Sequence, residues 1–310
     1  MKPIISCQDR FKFIRGITLI ILIFIFLSTS NLFPQVTEEW VARYNGPGYC
    51  DDYAEAIAID SSGNVYVTGY SVGSVTNYYY DYATIKYNSS GVEQWVARYN
   101  GPANSDDLAY AMFLDSSGNV YVTGWSYNSG TEPYNSDYAT IKYNSAGVQQ
   151  WVMRYNGPGN DGDGANAIAV DNSGNVYVTG DSDSSGTEPY NSDYATIKYN
   201  SSGVELWVAR YNGPGNSADY AYAIAVDSSG NAYVTGKSIG SGTSSDYATI
   251  KYNNAGVEQW VARYSTKWND DATAIAIDSS DNVYVTGRSW NSGTEGDYAT
   301  VKYNNAGVQQ

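Results

Sequence analysis

Asp60-Ser61-Ser62-Gly63-Asn64-Val65-Tyr66-Val67-Thr68-Gly69, followed by Asp81-Tyr82-Ala83-Thr84-Ile85-Lys86-Tyr87-Asn88-Ser89-Ser90-Gly91-Val92 and then Trp95, is the stretch on which the fold reading turns. Tyr, Val, Ile and Thr fill the runs, and Asp, Ser, Gly and Asn fill the gaps, which is how short strands joined by tight hairpins are written. Gly63 and Gly91 supply the positive φ that such turns need. The spelling predicts strands over Ala56–Asp60, Val65–Tyr70, Tyr82–Tyr87 and Val92–Tyr99. No stretch beyond the N-terminus shows a sustained 3.6-residue period, so no helix is predicted there.

The same unit is written five times. Trp40, Trp95, Trp151, Trp207 and Trp260 each open a W-V-x-R-Y segment, at spacings of 55, 56, 56 and 53 residues. Each then runs through an acidic stretch, A-I-A-[IV]-D or a variant, V-Y-V-T-G, a polar loop and D-Y-A-T-[IV]-K-Y-N. The fifth unit departs, with Ser265-Thr266-Lys267 in place of N-G-P and Asp281 in place of the turn glycine. Four strands per repeat of about 55 residues predict an all-β chain of four-stranded blades, a β-propeller, over residues 37–310. We name the strands of a unit a, b, c and d, with W-V-x-R-Y in d.

The repeated strings resemble the SBBP family of bacterial β-propeller repeats, and more distantly the NHL-type blade. The resemblance covers Glu38 to the end. It implies a secreted or surface-exposed bacterial protein and supplies no catalytic residue to carry over. A lone d strand over Glu38–Tyr44, four complete sets and a final a-b-c set leave two closures open: a five-bladed ring completed by the N-terminal strand, or part of a six- to eight-bladed propeller.

Residues 1–30 read as a separate object. Lys2, Arg10, Lys12 and Arg15 precede the apolar run Ile17–Leu27, and Ser28, Thr29 and Ser30 follow, which is a signal-peptide pattern with cleavage expected between residues 28 and 35. The run is too short to span a bilayer. Its removal shifts the net charge from −15 to −18 and leaves Cys50 as the single cysteine. The expectation is a protein exported to the cell surface or beyond, with no stable membrane span.

Histidine is absent, which excludes Ser-His-Asp and Cys-His catalysis and His-based zinc sites. The acidic balance argues against nucleic acid as a partner. Counting from the c–d turn sets Asp81 near Arg98, and Asp137, Asp193 and Asp246 near Arg154, Arg210 and Arg263, as register-fixing ion pairs. Asp52, Asp107, Asp163, Asp219 and Asp270 fall at one repeat position. They read either as a Ca²⁺-attracting ring or as caps on their own loops; no other cofactor is implied. Tyr79, Tyr80, Trp125, Tyr134, Tyr190, Trp268 and Trp290 lie in or beside the variable loops on one face, and suit stacking on sugar rings or contact with protein. The function expected is a non-enzymatic binding or adhesion scaffold for carbohydrate or protein. The alternatives are a polysaccharide hydrolase or lyase, and a structural repeat block of a larger surface protein.

Overall fold

The computed structural model describes residues 37–76, 78–128, 135–184, 191–242, 244–292 and 294–310; the signal-like segment lies outside them. The repeats from Trp40 onward form one compact unit. Blade 1 consists of β1 (Asp52–Ile59), β2 (Val65–Val72), β3 (Tyr80–Tyr87) and β4 (Glu93–Tyr99). Blade 2 consists of β5 (Asp107–Leu114), β6 (Val120–Tyr127), β7 (Ser136–Tyr143) and β8 (Gln149–Tyr155). Blade 3 holds β9 (Asp163–Val170), β10 (Val176–Asp183), β11 (Ser192–Tyr199) and β12 (Glu205–Tyr211). Blade 4 holds β13 (Asp219–Val226), β14 (Ala232–Ile239), β15 (Ser245–Tyr252) and β16 (Glu258–Tyr264). Blade 5 has three strands, β17 (Asp270–Ile277), β18 (Val283–Asn291) and β19 (Thr294–Tyr303). Every sheet is an antiparallel meander in chain order, and successive blades pack through their a, b and c strands.

The turns explain the spelling of the repeat. In D-S-S-G-N, Asp60 Oδ1 accepts the amides of Ser62 and Asn64 at 2.9 Å, and Oδ2 accepts Asn64 Nδ2 at 2.7 Å and Tyr66 Oη at 3.2 Å. One carboxylate thus satisfies the hairpin, and the pattern recurs at Asp115, Asp171, Asp227 and Asp278. Asp281 takes the turn position of the fifth unit at φ 58°, which aspartate tolerates better than most residues.

The framework also joins the blades. Trp95 Nε1 donates to Ser145 O of the next blade at 3.1 Å, and its ring lies so close to Gly147 that a Cβ there would stand 2.6 Å from it. Tyr82, Tyr138, Tyr194 and Tyr247 are buried and each donates its hydroxyl to a carbonyl one blade on, Ala139, Ala195, Ala248 and Ala299. The arginines of β4, β8, β12 and β16 are hubs. Arg154 Nη1 donates to Tyr99 Oη of the preceding blade and to Ser126 Oγ, while Nη2 donates to Ser126 O and to Asp137 Oδ2 at 3.0 Å. Arg98, Arg210 and Arg263 repeat this set with Asp81, Asp193 and Asp246. The strand-c lysines lie over strand-b tyrosine rings, as Lys142 does over Tyr121 at 5.1 Å.

Strands a and b are longer than predicted. Asp52 and Ser71, expected in loops, pair with each other inside the sheet. The cause is a β-bulge: Ala54 pairs with Gly69 and Ala56 with Thr68, which leaves Glu55 unpaired. The bulge inverts the alternation on which a period-2 reading relies. Residues 40–44, expected as a strand, make no ladder. Their side chains nonetheless take strand-d positions against blade 1, with Trp40 over Gly91 and Tyr44 Oη accepting from Arg98. At the far face of blade 5 Tyr298 is 97% exposed, whereas its four equivalents are buried.

The hubs make a contrast testable. Replacing Arg154 with Ala leaves Asp137 buried without its cation and is expected to cost about 3 kcal/mol in urea unfolding. Exposed Arg43, at the same repeat position without such partners, is expected to change stability by under about 0.5 kcal/mol on the same replacement. Equal losses at both positions would contradict the hub.

Candidate functional site

The bulge recurs in every blade and leaves Glu55, Tyr110, Asn166, Tyr222 and Thr273 unpaired. Just before each bulged residue, a strand-a position faces a strand-b position: Tyr53 and Tyr70, Leu108 and Trp125, Gly164 and Asp181, Tyr220 and Lys237, Asp271 and Arg288. These three positions vary among the blades, whereas the framework positions around them are copied. A bulge re-aims a side chain at a strand end, and here it presents the residues that escaped copying.

In four of the five blades an aromatic ring lies over or beside members of the triplet. Tyr53 stacks on Tyr70 at 5.0 Å, with Tyr80 edge-on to Tyr70 at 5.2 Å. Trp125 Nε1 donates to Tyr110 Oη at 2.9 Å. Lys237 Nζ lies 4.8 Å from the Tyr220 ring centroid, and Arg288 lies over Trp290 at 4.3 Å. Blade 3 is the exception. Gly164 stands where the others carry Tyr, Leu or Asp, and the position of its missing Cβ is 3.8 Å from Trp125.

The missing side chain opens a cavity of about 380 Å³. Trp125 and Tyr110 of blade 2 form one wall and Tyr220 of blade 4 the other. Asn166, Asp181 and Asp183 of blade 3 supply its polar groups, with the hydroxyls of Ser136 and Ser192 at the rim. Asn166 Nδ2 donates to Asp181 Oδ1 at 3.1 Å and to Ala221 O at 3.0 Å, which ties the site to blade 4. Ser192 Oγ donates to Asp183 Oδ1 at 2.5 Å. Burial pushes the Asp181 carboxyl up to about 6 despite the Asn166 hydrogen bond, and neighbouring Asp183 and Asp163 add to the shift.

Of the aromatic residues singled out in the sequence, Trp125 lines this cavity. Tyr80 belongs to the blade 1 cluster, Trp290 pairs with Arg288, and Tyr79 and Trp268 are exposed. Tyr134 and Tyr190 lie outside the described residues. The structure distributes these aromatics among separate blades. The five carboxylates at the repeat position are likewise apart. Asp52, Asp107, Asp163 and Asp219 accept the amides of Gly46, Gly101, Gly157 and Gly213. Asp270 accepts both the amide and the hydroxyl of Thr266. Among the described residues no three His, Cys, Asp or Glu side chains gather closely enough to hold a metal ion. Asp163 alone of these five also borders the cavity. Gly164, Asn166, Tyr110 and Tyr220 were not among the sequence candidates; the signal for them is the departure of one unit from its four copies.

The antiparallel four-stranded blades define a β-propeller repeat protein. The chain carries SBBP-type β-propeller repeats: the SBBP β-propeller repeat model matches residues 39–74, 150–186, 206–242 and 259–293. The chain is 31% identical over 112 residues to the regulatory protein FlaEY of Caulobacter vibrioides, covering 32% of this chain and 12% of that relative's length. Among solved structures, a Dyadobacter fermentans protein of unknown function superposes with a TM-score of 0.50 at 9% identity, over 82% of this chain and 79% of that one. A Bacteroides caccae protein of unknown function gives 0.46 at 11% identity, over 83% and 81%. These likenesses concern the fold.

The buried carboxylates set a pH dependence. Burial raises Asp107, Asp163 and Asp181 from 3.8 to about 6, so between those values the folded chain holds protons that the unfolded chain has released. Their contribution therefore falls as pH rises from about 4 to about 6. Hydrogen bonds from Asn282 hold Asp278 at about 2, a contribution lost only in stronger acid. Thermal unfolding is expected to give a Tm about 5 °C higher at pH 5 than at pH 7. The Asp181→Asn variant should show a smaller difference, and a higher Tm at pH 7 than at pH 5 in the parent would contradict the assignment.

Proposed function

We propose that this chain is an exported, non-enzymatic β-propeller scaffold that binds carbohydrate in the blade 3 cavity. The observation that carries the proposal is the break in repetition at Gly164, beside which an aromatic-walled cavity carries the carboxylates of Asp163, Asp181 and Asp183. Indole and phenol faces stack on the apolar faces of sugar rings, and Asp, Asn and Ser groups suit their hydroxyls. A cavity of this volume lies at the small end of ligand pockets, the scale of a single sugar unit. Export rests on the charged, apolar and small-residue order of residues 1–30. A protein ligand on the same face is the competing form of the scaffold reading.

A second reading has one observation in its favour. Asp181, held near 6 beside Asp183, is a carboxyl that could donate a proton near neutral pH, and paired carboxylates suffice for glycoside hydrolysis.

A glycan array followed by titration of the full chain separates these readings. Binding without release of new reducing ends is the expected result, and Trp125→Ala should weaken it by about tenfold. Release of reducing ends that stops in Asp181→Asn would favour the hydrolase. A blank array would remove the carbohydrate reading.

A further inference from the structure

We infer that the blade 3 cavity receives a protonated amine carried on a sugar ring, an unacetylated amino-sugar unit, with Asp181 and Asp183 as its anionic partners. The inference rests on the carbohydrate reading of that cavity and names the ligand class within it.

The argument starts from how the other blades treat charge at these positions. Lys237 is covered by the Tyr220 ring, with Tyr222 at 5.9 Å, and Arg288 by Trp290. The framework carboxylates Asp81, Asp137, Asp193 and Asp246 each have an arginine within 3.3 Å. Blade 3 breaks the pattern. Asp181 and Asp183 sit two residues apart on β10, and their side-chain hydrogen-bond partners, Asn166 and Ser192, are neutral. Neither takes part in an ion pair among the described residues. Asp183 is 8% exposed, so its charge is largely withdrawn from water. Asp163 borders the same cavity and is 1% exposed, with Oδ2 accepting the Gly157 amide.

Arg210 is ion-paired with Asp193 and reaches Asp183 and Asp163 only through space. Asp181 has no ion-pair partner among the described residues, so a cationic ligand offsets the cost of burying these carboxylates. A neutral sugar cannot. The walls then choose the carrier of the charge. Trp125, Tyr110 and Tyr220 offer ring faces and hydroxyls on two sides, and Ser136 and Ser192 offer hydroxyls at the rim. This lining matches a hydroxylated ring better than the bare methylene chain of a lysine side chain.

The test is calorimetric titration of the full chain with three oligosaccharides of equal length: a β-1,4-linked glucosamine tetramer, its N-acetylated counterpart and a glucose tetramer. The free-amine tetramer is expected to bind at least about tenfold tighter than the other two. Asp181→Asn and Asp183→Asn, with unfolding transitions retained, should each erase most of that preference. Gly164→Tyr installs the residue that blades 1 and 4 carry and should abolish binding of all three. Equal affinity for acetylated and free-amine tetramers, unchanged in Asp181→Asn but lost in Trp125→Ala, would overturn the amine inference and leave the carbohydrate reading standing. Absence of binding to all three tetramers and to a glycan array would overturn both. A lysine-rich peptide bound in preference to the glucosamine tetramer would also overturn the inference.

Discussion

A close backbone approach in every blade shapes the rest of the molecule. At Gly69, Gly124, Gly180, Gly236 and Gly287 of strand b, a Cβ would stand 1.9 to 2.1 Å from a carbonyl oxygen of strand a. Only glycine permits that approach, and strand a bulges by one residue beside it. The bulge lets both strands continue to the loop-bearing face. It also turns one residue per blade out of the ladder, beside a cross-strand pair that the framework does not need.

The remainder of the repeat is a framework that holds these bulges in place. Its charged groups are engaged within the fold: turn carboxylates by turn amides, strand-d arginines by strand-c aspartates and a neighbouring tyrosine, and strand-c lysines by aromatic rings. Because each hub reaches a tyrosine one blade back, the ion pair couples blades as well as strands. This explains why so few cations of an acidic chain remain outside the framework. It also explains why a pair of carboxylates outside any ion pair of the described residues stands out in blade 3.

The legible parts of the fold were those governed by short-range rules. Turn glycines, Asp-capped hairpins and the Asp137–Arg154 type of pair follow from counting along a hairpin, and the structure holds them. The strand ends were hidden because the bulge at Glu55 and its equivalents inverts the alternation, so Asp52 and Ser71 read as loop. The site was only partly legible. A search for reactive or stacking side chains finds Trp125 but passes over Gly164, whose contribution is the absence of a side chain. Asp181 and Asp183 acquire their setting only when β9 and β10 pair and bring Asn166 and Gly164 beside them. Of the two readings of the five aspartates, ring or loop cap, the hydrogen bonds match the cap, since each accepts an amide of its own loop.

Function in this account resides where a repeat departs from its copies, and the framework contributes position alone. The binding stoichiometry tests that claim directly. Titration of the full chain with a glucosamine oligosaccharide should give one equivalent bound per chain. A value near five, one per blade, would place binding on the copied framework and contradict the account.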